Sequence, residues 1–343
     1  MDLAEFDYTL PEDLIAQTPL ADRAASRMLV VDRSRGSWED RQFRDLPAFL
    51  CPGDCLVLND SRVFPARLFG HRLGHTGEVE VLLLRPVDSA AREWEALVHP
   101  GRKMRVGERV RFADGLEAEV IARREFGERT LRFCTERDVY EEFEKIGHVP
   151  LPPYIKRRDE AADRERYQTV FAREKGSAAA PTAGLHFTPQ VLDACRARGA
   201  EIAFVTLHVG LGTFQPIHCR SGGERVEGHK LHTEHYRITA DNAARMAAAR
   251  RLVPVGTTSV RSVESAMRGS GLRETSGETD IFIYPGFDFR AAGAMLTNFH
   301  LPRTSLLLLV CAFAGKELAL AAYRHAVERR YRFYSYGDCM LIL

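Results

Sequence analysis

Gly147-His-Val-Pro-Leu-Pro-Pro153 divides this chain of 343 residues into two kinds of sequence. Three prolines in four residues cannot continue a helix or a central strand, so the stretch marks a boundary or a rigid crossing. Before it, from about Arg62, come six short apolar or alternating runs: Val63–Leu73, Val79–Leu84, Trp94–Val98, Glu108–Phe112, Glu117–Ala122 and Thr130–Phe133. Turn residues separate them, among them Gly74-His-Thr-Gly77, Pro100-Gly101 and Asp114-Gly115. Short, evenly spaced strands with polar breaks predict a small antiparallel barrel or sandwich.

After Pro153 strands alternate with helices. Thr188-Pro-Gln-Val-Leu-Asp-Ala-Cys-Arg-Ala-Arg-Gly199 carries an N-cap threonine, a proline at the first helical position and a closing glycine. Glu201–Val209 reads as a strand, Ala240–Leu252 as a helix and Val253–Gly256 as a strand. Thr257–Met267 reads as a helix, Ile281–Tyr284 as a strand, and Leu306–Ala314 and Lys316–Tyr331 as helices. Upstream, Pro11-Glu-Asp13 suits a first helical turn, and Met28–Val31 and Cys55–Leu58 read as strands. The expected architecture is an α/β domain built from both chain ends, 1–61 plus 148–343, with a β-barrel of about six strands inserted at 62–147.

The composition bounds the function. Hydrophobic residues make up 45% of the chain and charged residues 28%, which fits a globular protein with a real core. The formal net charge is +1, so a basic surface can only be local. Seven cysteines are scattered without a Cys-x-x-Cys pair, which argues against a disulfide framework or a zinc site and for a reducing, cytoplasmic setting. The acidic start Met1-Asp-Leu-Ala-Glu5 lacks the pattern of a signal peptide. The apolar run Leu306–Ala314 is far shorter than the roughly 20 residues of a membrane span and reads as a buried helix.

Two histidine-glycine stretches carry the strongest hint of chemistry. Ala179-Ala-Pro-Thr-Ala-Gly-Leu-His-Phe-Thr188 supplies Thr182, Gly184 and His186; Thr206-Leu-His-Val-Gly-Leu-Gly-Thr-Phe214 supplies His208, Gly210, Gly212 and Thr213. Small residues let the backbone approach a ligand, and histidine moves protons near neutral pH. Gly210-Leu-Gly212 is not a dinucleotide fingerprint, because the third glycine would fall on Gln215. His229, His232 and Glu234 form a polar cluster better suited to substrate contact or acid-base work than to zinc. Gly256-Thr-Thr-Ser-Val-Arg-Ser262 joins a strand to a helix, where free N–H groups, Thr258, Ser259 and Arg261 suit an anion. Asn59, Asp60 and Arg62 follow a strand, where ligands gather in α/β folds. Asn298 and His300 end another, and Tyr336 and Asp338 lie in an aromatic-basic tail segment able to stack bases and hold phosphates.

The motifs in order resemble the S-adenosylmethionine:tRNA ribosyltransferase-isomerase family. They include Phe6-Asp-Tyr-Thr-Leu-Pro11, Leu58-Asn-Asp-Ser-Arg-Val63, Pro65-Ala-Arg-Leu68, His148-Val-Pro-Leu-Pro-Pro-Tyr-Ile155 and Tyr167-Gln-Thr-Val170. They continue with Ala180–Phe187, Leu207–Pro216, Val255–Ser262, Ile281–Gly286, Thr297–Pro302 and Tyr331–Asp338. Ser221-Gly-Gly223 and Gly293 depart from the family's more acidic residues, in loops. The resemblance implies the fold expected above and a monomer. It implies a reaction that moves the ribosyl part of S-adenosylmethionine onto 7-aminomethyl-7-deazaguanine at the tRNA wobble position, releasing adenine and methionine. S-adenosylmethionine is then a consumed substrate, and neither a cofactor nor a metal is expected.

Such a reaction needs a base for the C5′ proton made acidic by the sulfonium, and an acid for the departing adenine. His186 and His208 are the expected catalytic pair. Thr258, Ser259 and Arg261 are expected to hold the methionine carboxylate or a tRNA phosphate, and Asn59, Asp60 and Arg62 the adenosine or the modified base. The barrel and scattered arginines are expected to grip the tRNA stem. Two rivals make different demands. An S-adenosylmethionine-dependent RNA methyltransferase wants a glycine-rich loop after its first strand, and a non-catalytic RNA-binding protein needs no histidines beside glycine turns.

Overall fold

The computed structural model describes residues 1–343 except 89, 125–126, 211–224, 230 and 232. In the N-terminal part lie β1 (Arg27–Asp32), β2 (Ser37–Gln42), β3 (Asp54–Asn59) and β4 (Ser61–Val63). The insertion follows with β5 (Arg67–Arg72), β6 (Glu78–Pro86), β7 (Glu93–His99), β8 (Arg109–Phe112), β9 (Glu117–Arg123), β10 (Glu128–Phe133) and α1 (Val139–Ile146). The chain then makes α2 (Asp163–Arg166), β11 (Glu174–Ser177), α3 (Pro189–Ala197), β12 (Glu201–Leu207), β13 (Glu234–Ile238) and α4 (Ala240–Ala248). It ends with β14 (Arg251–Pro254), α5 (Thr257–Arg268), β15 (Thr275–Thr279), β16 (Met295–Asn298), α6 (Ser305–Ala314), α7 (Lys316–Glu328) and β17 (Cys339–Ile342).

The insertion is a closed six-stranded antiparallel barrel in the order β10-β7-β6-β5-β8-β9, with β9 paired back to β10. Alternation builds it: in β8, Val110 and Phe112 point inward while Arg109 and Arg111 stay exposed. Trp94, Leu131 and Phe133 join them in the interior. The sequence reads no helix here, yet α1 is present. Asp138 caps it, accepting from the N–H groups of Tyr140 and Glu141, and Val139 and Phe143, one turn apart, pack into the barrel core. The single run expected at Val63–Leu73 is broken at Pro65, which has no N–H to give a ladder. Its first part, β4, pairs with β11 of the main domain instead.

Beside the β4–β11 pair, the main domain holds two larger sheets, β16-β17-β1-β2 and β14-β3-β12-β13-β15. Bridges between Leu252 and Ala292 and between Val255 and Leu296 join them along β14 and β16. The apolar run at 306–314 is the buried helix that the sequence predicts: α6 is covered on nearly all sides. It meets α7 at 116° about Gly315, and among the described residues no single helix is long and apolar enough to cross a membrane.

Other expectations fail locally. Residues 11–13 make only a 3-10 turn, Glu12–Leu14. No strand forms at 281–284, because side chains take the backbone groups: Thr279 Oγ1 accepts from Ile281 N at 3.2 Å, and Arg261 donates to Ile281 O. The edge strand β2 escapes sequence reading because five of its six residues are exposed and show no apolar alternation.

Candidate active site

β12, β3 and β14 run parallel and adjacent, and the bridges to β16 are parallel too. Their carboxyl ends therefore face one side and carry His208, Asn59, Thr257 and Asn298 respectively. Ligands in open α/β sheets bind at such strand ends. There the structure gathers Thr182, Thr257, Thr258, Thr297, Asn298 and His300 around a small cavity of about 40 Å³. Tyr154, Tyr334 and Ser335 complete its lining.

Asn59 fixes this end of the sheet. Its Oδ1 accepts from Ser61 N and Leu207 N at 3.1 Å, and its Nδ2 donates to Leu207 O at 2.9 Å. A second contact reaches Thr258 Oγ1 at 3.4 Å. Asp60 accepts from Thr206 Oγ1 at 2.7 Å and from Arg173 at 2.8 Å. Both residues are buried and engaged by the chain's own groups; Arg62 is exposed on β4.

His186 ends a 3-10 turn, Thr182–His186, and is buried. Its Nε2 lies 3.1 Å from Asn298 Nδ2 and its Nδ1 2.9 Å from Ser26 Oγ. An amide N–H can only donate, so Nε2 accepts and the ring proton sits on Nδ1. Ser26 in turn donates to Arg23 O at 3.2 Å, and Thr182 Oγ1 donates to Asn298 Oδ1 at 3.0 Å. Burial pushes the His186 pKa down from 6.5 to about 3, with the Arg23 and Arg332 charges adding to it. The ring is thus neutral and held at both nitrogens. His300 resembles it: burial lowers its pKa to about 3, and its Nε2 lies 2.9 Å from Thr297 Oγ1.

His208 differs. It is half-buried, and its Nδ1 is shielded from solvent with no hydrogen-bond partner among the described residues. Burial lowers its pKa and the neighbouring His235 adds to this, while Glu174 and Asp60 pull the other way. Gly176, at φ 132°, lets the backbone pass against the ring; a Cβ there would stand 3.1 Å from His208 Cε1. His186 and His208 share no hydrogen bond, and their partners belong to separate clusters.

At the start of α5, Gly256 takes φ 84° and no side chain caps the helix. The free N–H groups of Thr257, Thr258 and Ser259 are left at its amino end. Ser259 Oγ and Arg261 Nη2 are buried without hydrogen-bond partners among the described residues. Arg261 Nη1 pairs with Glu234, whose Oε1 accepts from Gly210 N at 3.0 Å. Glu234 thus ties the second histidine-glycine stretch to α5.

Other sequence candidates lie elsewhere. Gly184 packs against the protein itself: a Cβ would meet Thr169 Cγ2 at 2.8 Å and Phe171 Cζ at 2.9 Å. Tyr336 donates to Asp163 Oδ1 at 2.9 Å. Asp338 accepts from Arg27 N and Arg332 N, each at 2.8 Å. His229 stacks edge-on against Phe282, with ring centroids 5.2 Å apart. Gly212, Thr213 and His232 lie outside the described residues. Sequence reasoning missed Ser26, which no local pattern marks, and passed over Thr297 and Ser335 inside the motifs Thr297–Pro302 and Tyr331–Asp338.

A larger polar cleft of about 750 Å³ runs along β12 past Asp60, Arg173 and Thr206. It runs from the exposed ends of α3 and α4 to Asp60 and Thr206 at the carboxyl ends of β3 and β12.

The layered sheet, its inserted barrel and this strand-end site define an α/β enzyme of modular build. A family model described as "Queuosine biosynthesis protein" matches residues 3–342. A Solibacter usitatus protein named S-adenosylmethionine:tRNA ribosyltransferase-isomerase is 69% identical, with all of both chains covered. One of the same name from Symbiobacterium thermophilum is 52% identical, again over all of both chains. The crystal structure of an S-adenosylmethionine tRNA ribosyltransferase from Thermotoga maritima aligns with TM-score 0.56 and 37% identity, covering 99% of this chain and 100% of that one. The chain belongs to the queuosine biosynthesis protein family.

Proposed function

We propose that this enzyme transfers and isomerises the ribosyl part of S-adenosylmethionine onto tRNA, at 7-aminomethyl-7-deazaguanine in the wobble position, as a cytoplasmic monomer. Whole-length identity to relatives named for this transfer supports the activity. The observation that supports its site is the meeting of Thr182, Thr257, Thr258, Asn298 and His300 around one cavity at the ends of parallel strands. S-adenosylmethionine is consumed, and no cofactor is required.

The chemistry divides the two histidines. His186 is neutral at pH 7 and occupied at both nitrogens, so it positions Asn298 toward the cavity. His208 keeps an unpartnered Nδ1 and a depressed pKa, so at neutral pH it is a free base able to take the C5′ proton or relay one to adenine. The open amino end of α5, with Ser259 Oγ and Arg261 Nη2, receives the methionine carboxylate.

Purified protein is incubated with S-adenosylmethionine and tRNA with or without the prequeuosine base, and free adenine is measured. Adenine is expected only with the modified tRNA. Its absence in both, or formation of S-adenosylhomocysteine, overturns the reading.

A further inference from the structure

The barrel's outer surface is laced with ion pairs. Arg109 meets Glu119 at 3.2 Å, Arg111 meets Glu117 at 2.7 Å, and Arg132 meets Glu93 at 2.8 Å. One region breaks the pattern. A groove of about 1190 Å³ runs over β6 and β7 and the turn after them. Its described lining holds five arginines and one carboxylate, Glu80, which is already paired with Arg67 at 3.0 Å. Arg102, Arg105 and Arg123 are exposed and, among the described residues, meet no carboxylate and no hydrogen-bond acceptor.

The groove is rigid beneath those cations. Buried Arg129 donates to Met104 O at 2.9 Å, Gly127 O at 2.7 Å and Gly101 O at 2.8 Å, stapling the turns that carry them. Its floor is apolar, with Leu82, Leu97 and Val98 beside Val106, which is 60% exposed. One end touches Pro153, on the segment returning to the main domain.

We propose that this groove binds the sugar-phosphate backbone of the tRNA. Phosphates spaced along a strand match separate, unneutralised guanidinium groups, and the less polar sugar faces match the apolar floor. An extended peptide is the weaker fit, because the barrel is closed and offers no free strand edge for pairing. The nature of the RNA rests on the proposed function; the binding measurement does not depend on turnover.

The test is the dissociation constant of fluorescently labelled tRNA at several salt concentrations. One variant carries Arg102→Glu, Arg105→Glu and Arg123→Glu. The other carries Arg109→Glu, Arg111→Glu and Arg132→Glu on the paired face of the same barrel. The groove variant is expected to bind at least about tenfold more weakly, with a salt slope smaller by roughly 2–3. The paired-face variant is expected to change much less. Wild-type tRNA affinity in the groove variant, or equal weakening in both, overturns the proposal. If the glutamate variant does not fold, the Arg→Gln set replaces it, with the same slope reduction expected. Adenine release by the wild type is scored separately, so an inactive enzyme that still binds tRNA through the groove refutes only the proposed reaction.

Discussion

The strand-end site and the barrel groove manage polarity in opposite ways. At the strand ends Thr182, Asn298, His186, Ser26 and Arg23 O form one continuous chain of hydrogen bonds. On the barrel, charges stand in water and many are neutralised in pairs, while three arginines of the groove are not. Burial makes an unpaired polar group costly, whereas exposure makes it cheap. An unpartnered atom such as His208 Nδ1 is therefore the informative exception inside, and an unpaired cluster of cations the informative exception outside.

The sharpest way to break this contrast is His208→Asn. Adenine release at saturating substrates is expected to fall by about 10²–10⁴-fold, with little change in melting temperature. Near-normal turnover would show that its free nitrogen has no part in the chemistry.

Next in size comes Asp338→Ala, which strands the N–H groups of Arg27 and Arg332 and removes the 3.2 Å pair with Arg27. A loss of about 2–4 kcal/mol in urea unfolding is expected. A loss below about 1 kcal/mol would mean that the interior network is looser than its geometry implies.

Mild acid should act on the two buried histidines. His186 and His300 have native pKa values pushed down to about 3 from 6.5. Between those limits the unfolded chain binds protons that the native chain refuses, so stability is full above pH 6.5 and falls as pH drops toward 3. Each histidine contributes a loss on the order of 2 kcal/mol at pH 5. His300→Gln should make urea midpoints measured from pH 7 to pH 5 fall less steeply; an unchanged slope counts against a neutral native His300.

The smallest effect is expected on the barrel surface. Arg111→Ala removes a pair whose arginine is 60% exposed, and should cost under about 1 kcal/mol in the same unfolding assay. A larger cost would erase the distinction between the two regions.

Much of the framework was legible because it is local. The alternation at Arg109–Phe112, the cap at Thr188-Pro189 and the apolar block at 306–314 each reflect a short-range preference that the fold keeps. The site was legible only in part. Asn298, Thr258 and Thr182 stand out beside glycine turns and strand ends and do line one cavity. Ser26 carries no such mark, and Gly184 looked ligand-facing but packs on Phe171. Ile281–Tyr284 has strand composition, but the pairing is lost because Arg261 and Thr279 claim its backbone.

By itself the sequence determined the order of elements, the inserted barrel and the family, because periodicity, caps and motifs are written residue by residue. Only the tertiary structure decided the roles. Whether a histidine is clamped or free, and whether an arginine is paired or open, depends on partners far along the chain, 160 residues apart for His186 and Ser26 and 311 for Arg27 and Asp338. Those contacts depend on strand order and burial, which no local stretch encodes.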